Sequence, residues 1–206
     1  MDTTRLLTFA LATLVAAPAL ANEPITARGA WEGRVDFFMT GAPLAVDTTG
    51  NFRVDTSAQP AAIAVTAADV VGELEAAWVY WGGSQAQPAA GACTSGMDDS
   101  ISLTLPNGGV SAVMADDCYC SDGGASSYDV WVCRADVTLA LEADGGDMVG
   151  TFMVNDYIGL WGNGSTHNAS AALLLVYGDP SLDPRRVAAF DGNIDLFNTL
   201  DTSTLT

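Results

Sequence analysis

The side chains able to do chemistry are unevenly supplied in this chain: one histidine and four cysteines against 25 acids and seven bases. His167, in the stretch NGSTHN, would have to serve any Ser-His or Cys-His mechanism, because there is no second imidazole. Such a mechanism also needs a nucleophile on a strained elbow, and no GxSxG is present to build one. His167 therefore reads as a surface-loop residue. Paired carboxylates could supply an acid and a base, as in glycoside hydrolysis, and Asp98/Asp99, Asp116/Asp117 and Asp144/Asp147 offer such pairs. With 25 acids in 206 residues these pairs arise by chance. No catalytic residue is assigned, and the chain is read as a non-enzyme.

Metal and ligand chemistry have better candidates. Asp116, Asp117 and Asp122 lie in one glycine-containing stretch, DDCYCSDGG, and hard oxygen ligands on loops are what Ca²⁺ selects, although EF-hand spacing is absent. They are the candidate calcium ligands, with hydrated loop acids as the alternative. Trp78, Tyr80, Trp81, Trp131 and Trp161 could form a sugar-stacking platform, since exposed rings offer apolar faces beside polar tips. Core packing is expected for most of them, and Trp161, in a glycine-rich loop, is the one expected to be exposed and to bind ligand. Arg185 and Arg186 could hold a carboxylate ligand, but internal pairing with Asp136 or Asp191 is the favoured reading.

The cysteines are Cys93, Cys118, Cys120 and Cys133. In an exported chain they imply two disulfides, and a zinc site is disfavoured because the spacing is not CxxC and the lone histidine is remote. Cys118 and Cys120 are expected to reach different partners, on the reading that they leave a strand on opposite faces. The pairing favoured is Cys120 with Cys133 and Cys93 with Cys118.

Export itself is read from the first residues. MDTTRLLTFALATLVAAPALA has one early arginine, an apolar core over Leu6–Ala17, Pro18, and small residues around Leu20. This predicts a Sec-type signal peptide over residues 1–21, cut before Asn22. Its apolar core is shorter than the ~20 residues a membrane helix needs, and no later segment is long enough, so no transmembrane segment is expected. The mature chain, residues 22–206, is long enough to bury its own core and reads as one domain. All seven bases are arginines and the net charge is −18. A phosphate-tracking surface needs a basic patch, so nucleic acid is excluded as a partner; cationic ligands, Ca²⁺ and simple solubility fit the charge.

The elements that must position these residues are strands. Trp31–Met39, a turn at TGAP, and Leu44–Asp47 read as an opening hairpin. Ala61–Thr66 and the aromatic run Leu74–Trp81 come next as strands. Ile101–Leu105 and Val110–Met114 flank PNGG, where Asn107-Gly108 signals a type I′ turn. Asp116–Ser127 reads as a polar loop. Tyr128–Ala143 alternates as one long strand, with Trp131, Cys133, Ala135, Val137, Leu139 and Leu141 on its buried face. Met148–Val154 and Ala169–Tyr177 complete the set. In LLLVYGDPSLDPRRVAAFDG, Leu173, Leu175 and Tyr177 share one face and Leu174 and Val176 the other, so this strand is apolar on both sides and should be central. The two Asp-Pro pairs then make a rigid corner. No repeat is visible, and the pattern predicts an all-β, antiparallel β-sandwich or jelly-roll-like fold.

Four ordered segments, VDFFMTGAPL, AAWVYWGG, CRADVTLAL and ALLLVYGDPSLDPRRVAAFDG, resemble an uncharacterised family of secreted bacterial cell-surface domains, often found in adhesin-like proteins. The resemblance spans Val35 to Gly192. It implies a β-sandwich with no established catalytic residues. Similar domains continue past the FDG element, so the resemblance also implies that strands completing the sandwich lie beyond Thr206 or come from elsewhere. The function expected is a non-catalytic extracellular or cell-surface module that binds a glycan or a protein. The alternative is a structural subunit of a surface or matrix polymer, a homo-oligomer built through an open sheet edge, and a secreted hydrolase ranks third.

Overall fold

Apolar side chains on both faces of one segment force it between other layers, and the chain is arranged around that segment. The computed structural model describes residues 23–51, 53–86, 97–121, 128–158 and 168–193; the leader, Cys93, Asp122, Trp161 and His167 lie outside them. In strand β12 (Ala169–Gly178) every residue from Leu173 to Tyr177 is buried, as its two-sided pattern predicts. It is flanked in an antiparallel sheet by β2 (Val35–Pro43) and β6 (Glu73–Ala86). The sheet continues through β10 (Tyr128–Asp136) to β9 (Asp117–Ser121), giving the order β2-β12-β6-β10-β9.

A second antiparallel sheet has the order β5-β11-β7-β8, from β5 (Ala61–Val65), β11 (Gly150–Asn155), β7 (Ser100–Thr104) and β8 (Val110–Met114). The inner faces of the two sheets share one core. Val79, Trp81, Leu173 and Leu175 come from the first sheet, and Ile63, Leu103, Phe152 and Val154 from the second. The protein is thus the expected all-β antiparallel sandwich. A small ribbon, β3 (Ala45–Val46) with β4 (Thr56–Ser57), adds to one end.

Several local expectations are corrected. Tyr128–Ala143 is not one strand: β10 stops at Asp136 and Thr138–Ala143 forms a helical turn, α1. Gly145 and Gly146 both have positive φ, Gly146 N–H donates to Leu141 O at 2.8 Å, and Gly145 N–H donates to Glu142 O at 3.1 Å. These are the paired bonds of a Schellman stop, which satisfies the last carbonyls of a helix. Leu141 enters the core, but Leu139, assigned to the buried face, is 79% exposed.

The TGAP stretch lies inside β2 rather than in a turn, and there is no opening hairpin. Instead β1 (Glu23–Gly33) pairs with β13 (Arg185–Asn193), the two ends of the described chain, as a separate antiparallel ribbon. Gly33, at φ +119°, makes the corner from β1 to Arg34. Asp117–Ser121, expected within a loop, is the edge strand β9. The β7–β8 hairpin is as expected, but its turn is not type I′, which would need positive φ at both Asn107 and Gly108. Only Gly108 has it, and Gly108 N–H closes the turn onto Leu105 O at 3.0 Å.

The disulfide pairing is also corrected. Cys118 and Cys133 sit directly opposite in the β9–β10 register and are bonded, with Cα atoms 4.0 Å apart. Cys118 and Cys120, two residues apart, share one face, as strand period dictates, and both lie against the core. Cys120 is disulfide-bonded too. The two therefore do take different partners, but not the expected ones.

Candidate functional site

The outer face of the five-stranded sheet carries the residues that register places away from the core. Rows across it read Phe37 and Val176; Met39, Leu174, Trp78 and Asp136; then Gly41, Ala172, Tyr80, Arg134 and Asp117. The β1–β13 ribbon lies against this face. Trp31 of β1 meets Trp78 of β6 with ring centroids 5.6 Å apart and planes tilted by 57°, a favoured geometry for aromatic pairs.

Asp191 of β13 fastens the ribbon. Its side chain is only 8% exposed and faces two cations: Arg28 of β1, whose Nε is 2.5 Å from Oδ1, and Arg134 of β10, whose Nε is 3.1 Å from Oδ2. The phenols of Tyr119 and Tyr80 donate to the same carboxylate at 3.1 and 3.3 Å. Arg134 Nε is not aligned as a hydrogen-bond donor, so that contact is an ion pair. Arg28 also lies over the Tyr119 ring at 5.2 Å, Arg134 over the Trp78 ring at 5.1 Å, and Asp117 stands 3.6 Å from Arg28. Burial, with the neighbouring Asp191 charge adding to it, pushes the Tyr119 phenol up to about 12 and raises that of Tyr80 further. Both phenols stay protonated and serve as donors.

Clefts open on either side of this polar clamp. On one side Phe37, Met39, Leu174, Val176 and Phe190 line an apolar groove of about 230 Å³. On the other, a wider cleft of about 510 Å³ is lined by Trp31, Trp78, Leu139, Glu75, Asp136 and Thr138. Asp136 is held there by two donors, the Trp78 Nε1–H at 3.1 Å and the Thr138 N–H at 2.9 Å. The Thr138 hydroxyl is spent on the backbone of Ala77. Glu75 is exposed and has no hydrogen bond or ion pair among the described residues.

Of the described carboxylates singled out in the sequence, Asp98, Asp116, Asp117, Asp144 and Asp147 are engaged within the fold. Asp116 accepts the Asp136 N–H at 2.6 Å and Asp117 faces Arg28; Asp122, the third candidate calcium ligand, lies outside the described residues. Among those residues no three His, Cys, Asp or Glu side chains gather as a metal site. Asp144 and Asp147 hold the β7–β8 turn, accepting from Asn107 Nδ2 and from the backbone of Asn107 and Gly109. Asp98 accepts the Ile158 N–H, and its carbonyl takes the Trp81 indole N–H.

Arg185 and Arg186 do pair internally, but not with Asp136 or Asp191. Arg185 meets Asp36 at 2.7 Å and Arg186 meets Glu32 at 3.4 Å, both near the exposed end of the ribbon. Asp191 is taken by Arg28 and Arg134 instead, because β13 runs along β1 and over β10. Of the aromatic set, Trp81 and Trp131 are in the core, while Trp78 and Tyr80 face the ribbon. Trp161 lies outside the described residues. The residue missed by sequence reasoning is Trp31. Its i, i+2 spacing with Gly29, over which its ring folds, is the only local signal.

No protein-family model, no curated protein and no solved structure matches this chain.

Proposed function

We propose that this protein is a non-catalytic extracellular or cell-surface binding module, with the outer face of its main sheet as the ligand side. The observation that carries the reading is the cleft where Trp31, Trp78 and the highly exposed Leu139 stand beside the carboxylates of Glu75 and Asp136. Concave, mostly apolar surfaces with a few convergent polar groups are where ligands bind, and tryptophan is the residue most enriched where binding energy concentrates. Rigid strands hold both rings. The cystine chemistry of Cys118 and Cys133 fits an oxidising compartment outside the cytosol, as does the predicted leader. A glycan or a protein surface is the expected partner.

The test is binding of the purified protein and of Trp31→Ala to glycan and peptide arrays. Wild-type binding that the substitution abolishes is the expected result. Equal binding by the two proteins, binding on neither array, or hydrolysis of an arrayed compound would overturn the reading.

A second reading, the assembly subunit, is favoured by β8. This strand ends its sheet and exposes Val110 and Met114 at 70% and 63%, and an apolar edge strand is a template for pairing with another chain. Concentration-dependent oligomers that Val110→Lys abolishes would support it; a monomer at all concentrations would remove it.

A further inference from the structure

The cleft beside the ribbon is short of hydrogen-bond donors. Its two carboxylates, Glu75 and Asp136, only accept. Its side-chain donors are Trp78 Nε1–H, committed to Asp136, the Thr138 hydroxyl, committed to Ala77 O, and the indole N–H of Trp31. A neutral sugar both donates and accepts through each hydroxyl, so among glycans and protein surfaces a donor-poor wall favours those that carry amino groups. A ligand that only donates, or carries positive charge, matches it well.

We infer that the group this cleft receives is an alkylammonium cation; the inference rests on the reading of this face as the ligand side. Three observations point the same way. Ammonium groups are attracted to indole faces and gain most where the site is partly desolvated, and two tryptophans wall the cleft. Trp78 is only 5% exposed and its ring already carries the Arg134 guanidinium at 5.1 Å, so the indole offered to a ligand is that of Trp31. The clamp adds no net positive charge, because its two guanidiniums, Arg28 and Arg134, face two carboxylates, Asp191 and Asp117, which leaves the lining with the negative charge of Glu75 and Asp136. Finally, the whole molecule carries −18, so its field concentrates cations at the surface. Leu139 and the indole rings supply apolar contact for the alkyl part.

The ammonium group can belong to a free quaternary amine or to a lysine side chain on a partner protein. Intrinsic tryptophan fluorescence of the full chain, titrated with choline, with Nα-acetyl-lysine methylamide, with neutral 3,3-dimethylbutan-1-ol and with methyl glucoside, separates these cases. The expected result is saturable quenching by at least one cation, with the neutral isostere roughly tenfold weaker or more. The response should weaken as salt is raised and fall several-fold in Glu75→Gln, an exposed position whose change leaves folding intact. Choline alone assigns the free amine, and the lysine probe assigns a partner's side chain. Equal binding of the neutral isostere, binding of the glucoside without the cations, or no binding of any probe would overturn the inference. Array binding lost in Trp31→Ala would still uphold the binding-module reading in each of those cases.

Discussion

Arg134 on the fourth strand of the main sheet stands 3.1 Å from Asp191 on the last described strand. Through this pair the ribbon built from the two ends of the described chain is held to the sheet it covers. Asp191 also takes Arg28 from the other ribbon strand and two tyrosine hydroxyls from the sheet, so its charge is neutralised and hydrogen-bonded on several sides. A buried charge is tolerated only under those conditions. The clamp fixes the ribbon, and the ribbon carries Trp31 to Trp78.

Removing the clamp's anion should be costly. Asp191→Ala leaves two guanidinium groups facing each other in a largely buried site, and loss of one partner of such a group costs about 3 kcal/mol. Urea denaturation should show that loss. Glu32→Gln breaks the exposed pair with Arg186, whose side chains are 72% and 69% exposed, and should cost less than about 0.5 kcal/mol. Equal effects of the two substitutions would contradict the clamp.

The tyrosines give the clamp a pH signature. Tyr119 holds its proton up to about 12 in the folded protein, above its ordinary value of 10.0, chiefly because of burial, and Tyr80 is raised beyond it for the same reason. Groups raised on folding stabilise the fold fully below their unfolded value, and that contribution is lost as pH rises through the folded value. Stability measured by urea midpoint should therefore fall between pH 10 and about 12. Tyr119→Phe should flatten that slope, and an unchanged slope would count against it.

The Cys118–Cys133 bond closes a loop of sequence separation 15, which in the chain-entropy model is worth about 3 kcal/mol. The Cys118→Ala/Cys133→Ala double variant should lose stability on that scale in thermal or chemical unfolding. Peptide mapping of the unreduced protein should recover these two cysteines linked; a Cys120–Cys133 peptide would contradict the register.

Legibility from sequence depends on how local each feature is. The β7–β8 hairpin and the two-sided burial of Leu173–Tyr177 are readable because alternation and turn residues are adjacent in the chain. The α1 turn is hidden, although TLALEA before Asp144-Gly145-Gly146 carries the helix formers and the glycine stop, because the apolar alternation of β10 runs on through Leu139 and Leu141. The β1–β13 ribbon is invisible because it joins distant parts of the chain, and no periodic pattern reports a partner that far away. With it go Trp31 and the true partners of Asp191, Arg185 and Arg186. The disulfide depends on register: Cys118 faces Cys133 only because Arg134 pairs with Asp117 and Val132 with Tyr119.

The most direct test of the ligand-side claim is two-dimensional NMR of the indole N–H resonances while choline or the lysine probe is added. Of the five tryptophans, Trp31 and Trp78 line the cleft, and Trp81 and Trp131 are sealed in the core. Assigned by single substitution, the Trp31 and Trp78 signals should move together and saturate while those of Trp81 and Trp131 stay fixed. Stationary Trp31 and Trp78 signals under every ligand that the arrays show to bind would contradict the account.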